Sequence, residues 1–386
     1  MQKMKIVLAT GIYPPDIGGP ATYVQNLVSE LQKQGCEVIV ITYARRKSEI
    51  KKPSTAMETG QKLKTRVICV GKRVPILRWF SYACALKKYA KDADIVYVFS
   101  SVSCGIPLWL ARLKKPKNVL RLGGDFLWER YTDQGGRLGL REFYEKERVM
   151  WWIGCRCMAW LLNKFDHIIF STVWQQKLYK KHYKNLPTHS CIENSLPPSP
   201  SLSYFDRSET YTFPLHKKHT PFRLLFMGRF VKFKNLKNLV KAVEMLDGVE
   251  LTFVGDGPMK CTVQNIRHKI LPPDYTEKGD FFADYDLLIL PSLTEISSNV
   301  ALEARASGMP VLLTEETGLS DALRQGMVVR PLKTPEQIRD ALVYVMENYE
   351  RIAQQTTTLC EARPWSKVCE EHVKLFRSFL NTNVSS

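Results

Sequence analysis

Two carboxylates stand eight residues apart in the stretch that runs from Pro291-Ser292-Leu293-Thr294-Glu295 through Glu303 to Pro310-Val311. Glu295 precedes a helical pattern and Glu303 falls inside it. Eight residues are about 2.2 helical turns, so both side chains can lie along one side of a cleft. The backbone N–H groups of Ile296 to Asn299, a span that holds Ser297, Ser298 and Asn299, open that helix and suit phosphate oxygens. For Glu303 alone, a capping or salt-bridge role is the plainer alternative. A second group follows an apolar run: Gly228-Arg229-Phe230-Val231-Lys232-Phe233-Lys234. Arg229 and Lys234 could together neutralise a diphosphate, with a solvated basic loop as the alternative. A third, Gly18-Gly19-Pro20-Ala21-Thr22, lets the backbone approach an anion at the start of a helix. It could also be a tight turn without a ligand. Its spacing is not G-x-G-x-x-G, which weakens a nicotinamide reading. The shared chemistry is the binding of a phosphorylated ligand.

The elements that would position these residues alternate along the chain. Lys5–Thr10 is a short apolar run ending in a Gly/Pro-rich loop. Tyr23, Leu27, Val28 and Leu31 then recur at helical spacing up to Gly35, and Glu37–Thr42 is a second strand. Strand, helix, strand over so few residues is a βαβ unit with a parallel sheet. Further strands are expected at 66–70, 95–99, 118–122 and 167–171. Residues 195–222 break the rhythm with Pro, Ser and His. The pattern resumes with strands at 223–228, 249–255, 286–291 and 310–314, and with helices at Leu236–Leu246 and Pro335–Tyr349. The fold expected is α/β, with two doubly wound, Rossmann-like domains and a ligand cleft at the carboxyl ends of the strands. The boundaries expected are an N-terminal domain over 1–200, a linker over 201–222, a C-terminal domain over 223–362 and a last helix over 363–386.

The chain has 386 residues and a formal charge of +18, and the charge is unevenly placed. Residues 1–220 hold 36 basic and 17 acidic groups, a net of +19; the remainder hold 20 and 21, a net of −1. The first half is thus expected to meet something anionic. Apolar residues at 45% and charged residues at 24% exclude a wholly disordered chain and a polytopic membrane protein. The longest apolar stretch, Val149–Leu162, is interrupted by Arg156 and is shorter than the roughly 17–25 residues a spanning helix needs. None of the ten cysteines has C-x-x-C spacing. They read as small core hydrophobes in a reducing cytosol. Asp92-Ala93-Asp94 and Asp284-Tyr285-Asp286 imitate metal sites, but each leads straight into an apolar strand, so a strand-entry role and no metal are expected.

Taken together, these motifs resemble the GT-B glycosyltransferases of the family 4 type, which are retaining and use nucleotide sugars. The carriers are the opening KIVLATGIYPPDIGGPATYV, the GR…K loop, VGDGP at 254–258 and the E-x7-E stretch ending in EARASGMPV. The resemblance covers nearly the whole chain. It implies that Arg229 and Lys234 bind the donor diphosphate and that Glu295 meets the transferred sugar. It implies that Glu303 binds the ribose hydroxyls, and that the Gly18-Gly19 loop faces the donor phosphate and the acceptor. It also implies a reaction without a metal or other cofactor, and a last helix that returns to the N-terminal domain. Two departures stand out. Where the family usually has a histidine, this chain reads RLGGDF, with Gly123 at that position. Asp125 is then the nearest polar candidate to contact the sugar or the acceptor hydroxyl, with a helix-capping role as the alternative. Glu295 is followed by Ile-Ser-Ser rather than the commoner Phe-Gly pair, and the region from Gly257 to Asp286 is also short, as if part of a strand–helix unit were missing.

On the acceptor side, Val74–Lys91 and Arg137–Lys164 interleave Trp and Phe with Arg and Lys. This suits a lipid headgroup interface or stacking on single-stranded nucleic acid, with a buried amphipathic helix as the plainer alternative. The expectation is a cytoplasmic glycosyltransferase working on a glycan or lipid-linked acceptor at the membrane face. No nucleic-acid partner is expected. Rival readings are a GT-B sugar-nucleotide epimerase and a catalytically weakened sugar-nucleotide-binding protein.

Overall fold

Short runs of Val, Ile and Leu form the buried strands of two parallel sheets. The computed structural model describes residues 3–16, 18–44, 65–71, 74–196, 218–264, 268–273, 281–357 and 362–381. Most of the linker expected over 201–222 lies outside the described residues. The chain divides into two units. The first comprises Met1–Phe126, Arg148–Glu193 and Trp365–Ser386. The second comprises Leu127–Glu147 and Asn194–Pro364.

The first unit holds β1 (Lys5–Ala9), β2 (Glu37–Ala44), β3 (Arg66–Gly71), β4 (Ile95–Val98), β5 (Lys117–Leu122), β6 (His167–Phe170) and β7 (Thr188–Cys191). Their order is β3-β2-β1-β4-β5-β6-β7, and every pairing is parallel. The order reverses between β1 and β4, the place where such sheets receive ligands. The helix Gly19–Lys33 turns Ala21, Tyr23, Val24, Leu27, Val28 and Leu31 onto the sheet. On the same core sits the helix Trp365–Asn381, through Val368, Cys369, Val373 and Phe376. His372 anchors that helix from inside: its Nδ1 donates to the Val368 carbonyl (2.7 Å), and Nε2 accepts from the Tyr97 hydroxyl (2.9 Å).

The second unit holds β8 (Phe222–Met227), β9 (Val249–Val254), β10 (His268–Leu271), β11 (Leu287–Leu290), β12 (Val311–Thr314) and β13 (Val328–Arg330). The order is β10-β9-β8-β11-β12-β13, again parallel throughout. The reversal here lies between β8 and β11. Helix Leu236–Val243 buries Leu236, Leu239, Val240 and Val243. Helix Pro335–Glu347 starts at a capping box in which Thr334 and Gln337 satisfy each other's backbone N–H groups. The strand–helix unit after Gly257 is present in a short form. Its strand is β10, paired to β9 from His268–Leu251 to Leu271–Val254, and its helix is the short Lys260–Val263.

Three aspartates fasten strand beginnings to neighbouring strands. Asp94 accepts from the Lys5 N–H (2.8 Å), Asp166 from Asn118 (2.7 Å) and Asp286 from Arg223 (2.6 Å). Asp286 is fully buried and also holds His219. Each carboxylate satisfies a backbone donor at the amino edge of a sheet, which is the strand-entry role expected of Asp94 and Asp286.

Candidate functional site

β8 and β11 are neighbours at the reversal point of the second sheet, and both key motifs leave from their carboxyl ends. Past β8, Gly228 and Arg229 lead into a 3-10 turn, Lys232–Lys234, and then Asn235 in the left-handed region (φ 59°). The Asn235 amide donates to the Leu332 carbonyl (2.9 Å), which fixes the far end of this loop. Beyond β11, the Leu293 N–H donates to the Phe233 carbonyl (2.8 Å), so the two loops are joined backbone to backbone.

The VGDGP turn lies across the first loop. Its Val254 and Asp256 carbonyls accept from the N–H groups of Gly228 (3.0 Å) and Phe230 (2.9 Å). Gly255 and Gly257 have φ of 145° and 155°, and a Cβ on either would meet the Gly228 or Phe230 backbone at 2.0 and 2.5 Å. Glycine is required at both places by conformation and by closeness.

This scaffold brings Lys234 to Glu295. The two side chains form a salt bridge through Glu295 Oε1, and the Ser292 hydroxyl donates to the same oxygen (2.5 Å). Glu295 and Ser292 are buried. The backbone of Glu295 is held as firmly: its N–H donates to the Glu316 carbonyl (2.9 Å), and its carbonyl accepts from Gly318 (2.8 Å). Arg229 is exposed at the start of the loop, and no side chain among the described residues pairs with it.

Helix Asn299–Ala306 follows. Its N-cap is Ser298, whose hydroxyl accepts from the Ala301 N–H (3.4 Å). The Asn299 Oδ1 accepts from the Asn194 side-chain amide (2.6 Å). Both side chains are therefore engaged by the protein, whereas the Ser297 hydroxyl is buried without a hydrogen-bond partner. Glu303 is half-buried, and no ion pair or hydrogen bond holds its carboxyl among the described residues. Burial pushes its pKa up. Glu303 and the Ser297 hydroxyl are the groups of this stretch that a ligand could satisfy.

Three residues escaped the sequence reading. Ser292 was visible inside the motif but carried no assignment. Thr294 and Glu316 receive the segment Gly139–Glu142: Thr294 Oγ1 accepts from the Leu140 N–H (2.8 Å), and Glu316 Oε1 from the Arg141 N–H (2.8 Å). Lys333 adds an ion pair to Glu142 (2.9 Å). Burial raises the Glu316 pKa, opposed by the Arg141 N–H and the Lys333 charge. No spacing in the sequence links residues so far apart.

The other candidates lie in the first unit. Gly18 precedes the helix Gly19–Lys33, and its carbonyl accepts from the N–H groups of Ala21 (2.9 Å) and Thr22 (3.3 Å). Asp125 is buried and accepts from the Tyr179 hydroxyl (2.7 Å). Beside Gly123 there is open space: a Cβ there would meet no atom within 4 Å.

A parallel sheet of each kind, with the phosphate-suited loops at the reversal point, agrees with the comparisons to known proteins. The family described as Glycosyltransferase Family 4 matches residues 17–189, and that described as Glycosyl transferases group 1 matches residues 221–348. The chain belongs to the GT-B glycosyltransferases of this family type, built from two Rossmann-like domains. A Bacillus subtilis protein named for teichuronic acid biosynthesis, TuaC, is 32% identical over 31% of this chain and 31% of its own length. The lipopolysaccharide core biosynthesis glycosyltransferase LpsE of Rhizobium meliloti is 33% identical over 27% of this chain and 32% of its own. These alignments span about a third of each curated relative. Among solved structures, sucrose-phosphate synthase from Thermosynechococcus elongatus superposes with a TM-score of 0.72 at 15% identity, covering 98% of this chain and 100% of that one. Anabaena HepE in complex with UDP-glucose gives 0.67 at 15%, covering 97% and 100%. At such identity the likeness is one of fold.

Among the described residues, no helix is long and apolar enough to cross a membrane.

Proposed function

We propose that this protein transfers a sugar, with retention, from a nucleoside-diphosphate sugar to a hydroxyl of a glycan or lipid-linked acceptor in cell-surface glycan synthesis. The observation that carries this reading is the meeting of Lys234, Ser292 and Glu295 at the reversal point of the second sheet, with Arg229 on the same loop and Glu303 unpaired nearby in sequence. The names of TuaC and LpsE support a cell-surface product. HepE, solved with UDP and with UDP-glucose, supports a nucleotide-sugar donor.

In this reading the bond from the sugar C1 to the diphosphate oxygen breaks, and negative charge grows on the leaving diphosphate. Arg229, Lys234 and the N-terminal amides of helix Asn299–Ala306 stabilise that charge, so the main catalytic term is electrostatic. The acceptor oxygen bonds to C1 on the same face, and its proton passes to a donor phosphate oxygen. Glu295, fixed through its backbone and through Ser292, orients the sugar, and Glu303 takes the ribose hydroxyls. No metal is needed in this reading, and the Asp94 and Asp286 carboxylates are engaged at strand starts.

The open space at Gly123 favours one second reading, a sugar-nucleotide-binding protein with weakened catalysis. An assay of transfer and hydrolysis over UDP-, GDP- and ADP-sugars separates the two. Transfer that is lost in Glu295→Ala and Lys234→Ala supports the first reading. Activity untouched by both changes overturns the site, and donor binding without turnover supports the second.

A further inference from the structure

We propose that one face of the first unit, formed by the helices Pro75–Tyr89 and Trp152–Leu162 and the turn before the latter, seats the protein on an anionic lipid surface. Of the large hydrophobic residues exposed among the described residues, all but Met245 lie in the first unit. They are concentrated rather than scattered. Val149 and Met150 are 85% and 84% exposed, Ile153 is 70% exposed, and Trp152 and Trp160 stand out on the same helix. On the other helix, Ile76, Leu77 and Phe80 are exposed, while Tyr82, Ala83 and Leu86 further along are buried in the usual way. That helix has an ordinary packed half and an apolar half that stands exposed among the described residues.

The two helices share a neighbour. Pro75–Tyr89 packs on the helix Gly105–Ala111, and Trp109 of that helix meets Trp160 edge to face, with centroids 5.1 Å apart. Apolar surface concentrated in this way on a soluble fold marks an interaction site.

Charge selects the partner. Neither helix contains a single Asp or Glu, and between them they carry Arg78, Lys87, Lys88 and Arg156. The Arg156 guanidinium lies over Trp152 and the Lys164 ammonium over Trp160, each 5.0 Å from the ring centroid. Indole rings flanked by cations suit the headgroup level of a bilayer. There the ring enters the apolar boundary and the cation meets a lipid phosphate. A protein partner would be expected to answer a mixed-charge rim, which these helices lack. Together with Lys164, the cations of these helices make up five of the 36 basic groups in residues 1–220. The inference gives the lipid-borne acceptor proposed above a surface at which to be met. Its test reads binding alone, without donor or acceptor, so it stands or falls apart from that reading.

The full chain is sedimented with vesicles of phosphatidylcholine alone and of phosphatidylcholine mixed equally with phosphatidylglycerol. The expected result is at least tenfold stronger partition onto the anionic vesicles, with release by salt. The double variants Met150→Asp/Ile153→Asp and Arg156→Glu/Lys164→Glu are each expected to lose at least tenfold in partition with unchanged melting temperature. All four sites are at the surface, so unfolding should not confuse the outcome. Equal partition onto both vesicles overturns the proposal, as does binding that neither variant weakens. Self-association in vesicle-free solution that the first variant abolishes, with vesicle binding unaltered, overturns it in favour of a second copy of this chain.

Discussion

Lys234 and Glu295 form a salt bridge between the loop after β8 and the loop after β11, and Ser292 donates to the same carboxylate oxygen. One oxygen of Glu295, the side chain proposed to orient the sugar, is thereby anchored twice. The arrangement makes Ser292 a positioning residue. Ser292→Ala is expected to cost about 1.5–3 kcal/mol of stability, the range for a buried hydrogen bond to a charged group. It should lower transfer at saturating donor more than it weakens nucleotide binding. Chemical denaturation and a kcat-against-KM comparison check both parts. An equal loss in each kinetic constant would mean that Ser292 does not position Glu295.

Glu303 is expected to trade stability for binding. A half-buried carboxyl without a protein partner, its pKa raised by burial, destabilises the fold that contains it. Glu303→Gln should therefore leave melting unchanged or raise it, while nucleotide affinity falls by about tenfold, or about 1.4 kcal/mol. Calorimetric titration with UDP and GDP alongside a thermal melt gives both numbers. A drop in stability would show that Glu303 is structural.

Two glycines should respond very differently to the same change. Gly255→Ala places a Cβ 2.0 Å from the Gly228 carbonyl oxygen and is expected to cost about 1–3 kcal/mol, with loss of nucleotide binding as the Arg229 loop shifts. Gly123→Ala meets nothing within 4 Å and should stay within about 0.5 kcal/mol of the parent. Urea unfolding of both variants tests the contrast.

Acid should weaken the first unit through His167. This residue is buried between β5 and β7, with its ring nitrogens on the hydroxyls of Thr188 and Ser190 (both 2.9 Å). Burial, and then the neighbouring His189, lower its pKa from 6.5 to about 4. The unfolded chain takes up the proton first, so this contribution is complete above pH 6.5 and is lost as pH falls toward 4. It amounts to at most about 3 kcal/mol. His167→Gln should flatten the stability profile over that window. A variant profile that keeps the parent's slope would place the sensitivity elsewhere.

Much of this was legible in the chain because a parallel strand buried on both faces must be continuously apolar. KIVLA, IVYV and LLIL leave no other reading, and each lies within its expected bounds. The strands that sequence reasoning missed are β7, β10 and β13, where the sequences THSC, HKIL and VVR are short or polar. All three are edge strands with only one neighbour, so partly exposed residues suffice there. In the site, local motifs placed Arg229, Lys234 and Glu295 correctly on their loops. Their mutual pairing was hidden, since 61 residues separate Lys234 from Glu295. Harder still was the Gly139–Glu142 segment. Its attachment to Thr294 and Glu316 runs through backbone N–H groups, which no side-chain pattern records.

The helix Trp365–Asn381 has a further consequence, which concerns time rather than geometry. Its Val368, Cys369, Val373 and Phe376 share one apolar cluster with Ile6, Leu8 and Tyr23 from the opening strand and helix. A ribosome delivers those early residues first, yet their cluster stays open until residue 376 has emerged. The second unit, whose residues end at Pro364, has its complete set before then. During synthesis the unit begun first is therefore the one finished last, and its unfilled sheet face must be kept from other chains in the interval.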